Sequence, residues 1–232
     1  MKIGFYGHSS ACWANYPIDG VHSFIDVIVE RYNASLVCKG VPQSSEERIL
    51  FELKKTKDID LAVIFHSAPK YIFLPTCRRD IGVDDAGLRK ALHLWKDKKS
   101  DKEVMDAAKD NYFKYGGIKE VFGDIDTFVS TMALHREYLY HPDLQMNRFT
   151  GALIQIDQYV TEMKIPTIHI YWGKTLPSWF KFSSGINAPR IAQLTSYYNK
   201  SGFPNNISAE GQTIIAIEIS KHIDNLNKSD NK

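Results

Sequence analysis

The sequence lacks a large excess of charge of either sign: 29 Lys and Arg residues stand against 27 Asp and Glu residues, for a formal net charge of +2 at pH 7. This balance provides no broad electrostatic field toward nucleic acid or an anionic membrane surface, so we expect neither as a partner. The sequence also has no run of about 20 apolar residues, the length of a transmembrane helix. Its N-terminus shows no apolar leader with a small-residue cleavage site. We therefore expect a cytoplasmic protein.

Cysteine is scarce as well. Cys12, Cys38 and Cys77 are odd in number and lack the spacing of metal ligands, which is typical of reduced thiols in an intracellular protein. His135 and His141 have no acidic residue at ligand spacing, so we interpret them as surface or packing residues and predict no metal site. Of the 232 residues, 44% are hydrophobic, which is enough to bury the core of one domain.

Strand-like and helix-like apolar patterns alternate through the first 65 residues. Short apolar runs predict three buried strands, and apolar residues spaced by three and four predict two helices between them. Ser44 and Glu47 have the spacing of a capping box that opens the second helix. The order strand, helix, strand, helix, strand implies parallel pairing with right-handed crossovers. The three predicted strands are residues 3–6, 34–38 and 60–65.

This alternation stops after Ser67 and returns near residue 149. We interpret residues 70–145 as a helical insertion that covers a site, and residues 71–75 within it as an apolar loop. The predicted fold is a single three-layer α/β/α domain with a flavodoxin-like, doubly wound parallel sheet of order 2-1-3-4-5 and the insertion after strand three. The remaining predicted elements are a fourth strand at residues 165–172, a short fifth strand at residues 179–182 and a last helix capped by Ser208.

Short polar blocks follow the predicted strands. Gly7-His8-Ser9 follows the first strand, Gly40 follows the second, and the third strand begins with an Asp-Leu-apolar run at residues 60–64. In these blocks the chain resembles the SGNH (GDSL-like) hydrolases, a superfamily of flavodoxin-like esterases and lipases, over residues 1–67 and 150–226. The resemblance implies that Ser9 is the nucleophile and that backbone N–H groups of Ser9 and Gly40 hold the oxyanion.

The last block departs from the family pattern. The family has Asp-x-x-His before the final helix; here the framework residues Ser208 and Gly211 are present, but Asn206 stands at the histidine position and Gly202-Phe203 replaces the acid. An amide has no basic nitrogen and cannot take the proton of a serine. After the third strand, His66-Ser67 stands where the family has Gly-x-Asn-Asp, so the Asn that binds the oxyanion is missing.

Two interpretations of these departures stay open. In the first, catalysis persists with a different base: strands one and three are neighbours in this sheet order, so His66 emerges beside the Ser9 loop as the candidate base, with His8 or Ser67 helping to bind the oxyanion. The substrate is then a small-molecule ester, in particular an acylated carbohydrate, and no cofactor is needed. In the second, the crevice is catalytically inactive and binds a glycan or a protein partner. Under either interpretation His8 and Asn206 are predicted binding residues. A nucleotide or flavin binder is a third possibility, but the first loop lacks the G-x-G-x-x-G spacing.

Local explanations compete with these functional ones. Ser9 fits a helix cap, and His66 fits a hydrogen-bonded structural histidine. His169, inside the fourth predicted strand, is expected to be a buried core histidine with satisfied hydrogen bonds. Aromatic residues near the strand ends suit either stacking against sugars or anchoring of the insertion, and Trp13 and Tyr71 are the candidates for ligand contact.

Overall fold

The computed structural model describes twelve helices and strands. It covers residues 1–7, 22–38, 40, 44–67, 69, 71–74, 79–82, 93–94, 96–97, 103, 127, 130–131, 134, 141–171, 176–198 and 207–229. The elements are, in chain order, β1 (Lys2–Gly7), α1 (Phe24–Arg31), β2 (Ser35–Cys38), α2 (Glu46–Lys55), β3 (Leu61–Phe65), β4 (Tyr71–Leu74), β5 (Arg79–Gly82), α3 (Pro142–Glu162), β6 (Thr167–Ile170), β7 (Ile186–Asn187), α4 (Pro189–Tyr197) and α5 (Ala209–Ser229).

Five strands form one parallel sheet in the order β2-β1-β3-β6-β7. This confirms the predicted flavodoxin-like order 2-1-3-4-5, with β6 and β7 as the fourth and fifth strands. The predicted position of the fifth strand was wrong, because residues 179–182 form a turn and irregular backbone. The apolar side chains of this segment pack on one another instead of lining a strand. The rings of Phe180 and Phe182 make an edge-to-face contact, with centroids 5.0 Å apart.

Helices cover both faces of the sheet, and strand alternation decides which side chains they meet. Phe5 of β1 and Val63 of β3 face one cluster with residues of α1, α4 and α5. Tyr6 and Ile64, the next residues on the same strands, face a second cluster with residues of α2 and α3. All five residues of β3 are buried, as expected for a parallel strand covered on both sides.

Serine caps begin three of the helices. Ser208 accepts a hydrogen bond from the N–H of Gly211 at 3.2 Å, which confirms the predicted cap of α5. Ser23 caps α1 in a capping box with Asp26. The predicted cap of α2 was wrong by one residue. The hydroxyl of Ser45, not that of Ser44, caps the helix by accepting from the N–H of Arg48 at 3.2 Å. Glu46 is therefore the first helical residue of α2.

The chain divides into two compact units, residues 1–68 with 150–232 and residues 69–149. In the second unit, β4 and β5 pair antiparallel. The predicted apolar loop at residues 71–75 was therefore wrong. Its apolar run forms a strand because a partner for backbone pairing follows within a few residues. In the part of the chain that is described, no helix is both long and apolar enough to cross a membrane.

Candidate active site

The ends of β1 and β3 lie side by side at the carboxyl edge of the sheet. Gly7 is paired with Phe65, the last residue of β3, so His66 is the first residue beyond the paired strands. The N–H of His66 donates to the carbonyl of Ile170 at the end of β6, at 2.8 Å. The predicted adjacency of strands one and three is thus confirmed, and the backbone of His66 is fixed by hydrogen bonding to β6.

A buried carboxylate contacts the imidazole of His66. Oε2 of Glu46 lies 2.9 Å from Nδ1 of His66, and both side chains are almost fully buried. Glu46 reaches this position because α2 runs back across the sheet, which brings its first residue to the carboxyl edge of the strands. A carboxylate at Nδ1 fixes the orientation and the tautomer of a histidine, as it does in Ser-His-Asp hydrolases.

Ser67 also binds Glu46. Its N–H donates to Oε1 at 2.6 Å, and its hydroxyl donates to the same oxygen at 3.2 Å. The carboxylate therefore accepts from three donors. Ser67 was predicted to help bind the oxyanion, but in this structure its N–H and its hydroxyl both donate to Glu46. These two donors stabilise the carboxylate and are not directed at a substrate.

A second imidazole completes the cluster. His169 of β6 is fully buried, and its Nδ1 lies 3.0 Å from Nε2 of His66, with the ring planes 18° apart. The pairing of Ile64 with His169 explains this contact, because His66 is two residues beyond Ile64 and shares its face of the sheet. We predicted that both ring nitrogens of His169 have hydrogen-bond partners. Nδ1 has one in His66, whereas Nε2 makes no hydrogen bond of good geometry among the described residues.

The ring of Phe182 covers His169. The two rings are stacked 3.7 Å apart at 11°. On another side, Gly185 has a φ of +81°, and a Cβ at this position would lie 2.5 Å from the carbonyl oxygen of Thr167 and 3.2 Å from Nε2 of His169. The absence of a side chain at residue 185 therefore gives the imidazole its space.

Asp157 of α3 holds the loop that carries these contacts. Its carboxylate accepts from the N–H of Ser183 at 3.0 Å, from the Ser183 hydroxyl at 2.6 Å and from the N–H of Ser184 at 3.4 Å. Asp157 thus fixes the backbone between Phe182 and Gly185, which sets the walls around His169.

Burial lowers the pKa of His169 well below its ordinary value, and the neighbouring His66 lowers it further. A backbone hydrogen bond with Ser184 acts in the opposite direction and raises the pKa of His169. His169 is therefore neutral in the folded protein at neutral pH.

The lowered pKa of His169 predicts acid sensitivity. The unfolded chain binds a proton at this histidine near pH 6.5 and the folded chain does not, so the free energy of unfolding falls as the pH drops below about 6.5, by up to about 1.4 kcal/mol per pH unit. In His169→Gln this part of the slope should disappear, as measured by urea unfolding at pH 5, 6 and 7. His222→Gln is the control: burial lowers the pKa of His222 as well, but this side chain is partly exposed and should account for less of the slope. Equal slopes in the wild type and His169→Gln would contradict the prediction.

A small cleft adjoins the ends of β1 and β2. It contains about 190 Å³ of empty space, part of it open to solvent, and Gly7 and Gly40 both line it. Cys38 lines it too, but burial and the charge of Glu52 raise the pKa of its thiol to about 12, so Cys38 is not a nucleophile at neutral pH. The predicted oxyanion donor Gly40 thus lies beside the end of the strand that leads to Ser9.

The other predicted site residues lie outside the described part of the chain. These are His8, Ser9, Trp13 and Asn206, together with the side chain of Tyr71, whose backbone belongs to β4. Glu46 was not among the predicted site residues, and His169 was predicted only as a core histidine. A topological signal for Glu46 was present: the first residue of a crossover helix lies at the carboxyl edge of a parallel sheet, so an acid just after Ser44-Ser45 is a candidate site residue.

Comparisons with known proteins do not assign a function to this chain. No protein-family model matches the chain, and no curated protein matches it significantly. One solved structure, a provisionally assigned lipolytic protein of the G-D-S-L family from Desulfitobacterium hafniense DCB-2, is similar over 95% of this chain and 98% of its own, with 14% identity and a TM-score of 0.33. A similarity at this level carries no argument about function.

Proposed function

We propose that the chain is a serine hydrolase of the SGNH type that cleaves carboxylic esters, with acylated carbohydrates as its substrate class. The observation that carries this proposal is the 2.9 Å contact between Glu46 and His66 at the end of β3, next to β1, which ends two residues before Ser9 in the sequence. Where Asn206 removes the family's histidine, Glu46 and His66 offer an acid and an imidazole from other positions of the same sheet edge.

The proposed reaction uses a covalent acyl-enzyme. Oγ of Ser9 attacks the ester carbonyl while its proton passes to the imidazole of His66, which Glu46 orients. Backbone N–H groups of Ser9 and Gly40 stabilise the oxyanion. The proton then goes to the leaving alcohol, and water releases the acid from Ser9 by the same steps.

A fluorophosphonate probe tests this proposal, because it labels only an activated serine. We expect labelling at Ser9 in the wild type and in Ser196→Ala, an exposed position on α4. We expect no labelling in Ser9→Ala, and turnover of an aryl acetate should fall on the order of 10⁴-fold or more in Ser9→Ala and His66→Ala. Unchanged turnover in His66→Ala would remove His66 from the mechanism.

One observation favours the alternative, a catalytically inactive module of the same type that binds a glycan or a protein. Nε2 of His66, the nitrogen that would face a serine in a conventional triad, lies 3.0 Å from Nδ1 of His169, and the side chain of His66 is fully buried. The absence of labelling at Ser9, together with retained binding on a glycan array, would support this alternative against the hydrolase.

A further inference from the structure

We infer that Trp179 is a stacking platform for one face of a pyranose ring, so that the segment between β6 and β7 binds carbohydrate. The carbohydrate class of the ligand rests on the proposed function, whose substrate is an acylated carbohydrate. The location of the platform rests on the contacts of the segment alone.

The first observation is the exposure of the indole ring. Trp179 is 68% exposed. It occupies the third position of a tight turn, in which the N–H of Phe180 donates to the carbonyl of Pro177 at 2.9 Å. Turns are ordinarily built from small and polar residues, which suit both the backbone conformation and the solvent. The turn therefore gives no reason for a tryptophan, and the core gives none either, because most of this side chain lies outside it.

The second observation is that the exposed ring is held in place. The ring of Trp179 packs edge to face on that of Phe180, with centroids 6.1 Å apart and planes at 78°. Phe180 packs edge to face on Phe182, which is buried. Single exposed apolar side chains are common and carry no inference by themselves; here a series of rings joins the indole to the core. A ring that is already ordered loses little further freedom when a ligand packs on its face, which favours binding.

The third observation relates the platform to the candidate site. Phe182 stacks on His169, and its centroid lies 4.8 Å from that of the His66 ring. The rings of Phe180 and Phe182 are thus the two that connect Trp179 with His66. The segment leaves the sheet at the carboxyl end of β6, and ligands of open α/β sheets bind at this edge. The indole therefore belongs to the surroundings of the candidate site.

The neighbouring side chains favour a sugar over a protein or a lipid surface. Ser178 and Lys181, on either side of the aromatic pair, are exposed, and their hydroxyl and ammonium groups can bond to sugar hydroxyls. A stable protein interface needs on the order of 800 Å² from each partner, and an anchor in a lipid surface needs a long apolar face. One indole provides neither. A pyranose instead presents a compact face of C–H groups, which gains dispersion contacts on the ring, while its hydroxyls stay at the polar rim.

Calorimetric titration of the whole chain with cellotetraose, xylotetraose, mannotetraose and chitotetraose tests the inference. We expect at least one of them to bind, and we expect Trp179→Ala to raise its Kd about 10-fold or more. Trp179→Phe should raise the Kd less, because the smaller ring keeps part of the stacking. Tyr197→Ala is the matched control: it removes another exposed ring, 80% exposed at the end of α4, and should bind like the wild type. Absence of binding by the wild type, or an unchanged Kd in Trp179→Ala, would overturn the inference.

Sedimentation with vesicles of phosphatidylcholine and phosphatidylglycerol tests the lipid alternative, and we expect no binding. Vesicle binding that is lost in Trp179→Ala, without binding of any tetrasaccharide, would assign the ring to a lipid surface and overturn the inference. Neither measurement involves Ser9, so the two proposals can fail separately. Binding of a tetrasaccharide through Trp179 without fluorophosphonate labelling at Ser9 would refute the hydrolase and leave the platform standing. Labelling without tetrasaccharide binding would refute the platform alone.

Discussion

Gly7→Ala should lower the free energy of unfolding by about 3 to 5 kcal/mol, the upper end of the effects of single substitutions. Gly7 ends β1 with a φ of +125°, a conformation that L side chains rarely adopt. A Cβ at this position would overlap the carbonyl oxygen of Phe65 and lie 2.8 Å from its Cβ. The overlap is with the backbone of the neighbouring strand, which cannot move without disturbing the β1–β3 pairing that places His66.

Gly151→Ala is the matched control for Gly7→Ala. Gly151 lies inside α3, and a Cβ there would meet no atom within 4 Å. Alanine is the better helix former, so this variant should gain about 0.5 to 1 kcal/mol. Urea unfolding at neutral pH measures both variants. Similar stabilities for the two would show that the conformation of Gly7 does not constrain the end of β1.

The second large effect is expected for Glu46→Ala, which should lose about 3 to 5 kcal/mol of unfolding free energy, because three buried donors lose their acceptor at about 1 to 3 kcal/mol each. The substitution leaves Nδ1 of His66 and both donors of Ser67 buried without their acceptor. Glu46→Gln keeps one oxygen for Ser67 and should lose less. Both variants are measured by urea unfolding at pH 7.

The control for Glu46→Ala is Glu162→Ala, at the exposed end of α3. An exposed carboxylate contributes little, so this variant should stay within about 0.5 kcal/mol of the wild type. If Glu46→Ala also stayed in that range, the three hydrogen bonds of the carboxylate would contribute nothing net to stability.

The strand order could be predicted from the sequence because it follows from local patterns and general rules. The fully apolar run of β3 marks a strand buried on both faces, and the helices between short strands require right-handed parallel crossovers. Adjacency of β1 and β3, and with it the position of His66, follows from that topology. The fifth strand could not be located in the same way, because its pairing depends on residues far away in the sequence. The two-residue strand β7 lies in a segment with no extended apolar run. The apolar residues 179–182 were therefore predicted as the fifth strand, which was wrong.

The contacts of the site could not be predicted in the same way. Glu46 lies 20 positions before His66, and His169 lies 103 positions after it. Neither spacing belongs to a local motif. A charged residue in the first turn of a helix ordinarily interacts with the helix dipole in solvent, so only the packing of α2 on the sheet distinguishes Glu46 from Glu47. The surroundings of the buried His169 ring depend further on the ring of Phe182 and on a glycine at residue 185.

The central pairing of the sheet has a consequence for biosynthesis. Ala62 of β3 pairs with Thr167 of β6, so the two strands are separated by about a hundred residues of chain. Contacts between residues so far apart in the sequence form slowly, because the long intervening chain must close into a loop before the strand pairing can stabilise it. During translation, β1, β2 and β3 leave the ribosome well before β6, and the edge of β3 stays unprotected in the nascent chain. We therefore expect a truncated chain ending before β6 to aggregate or recruit chaperones rather than to fold on its own.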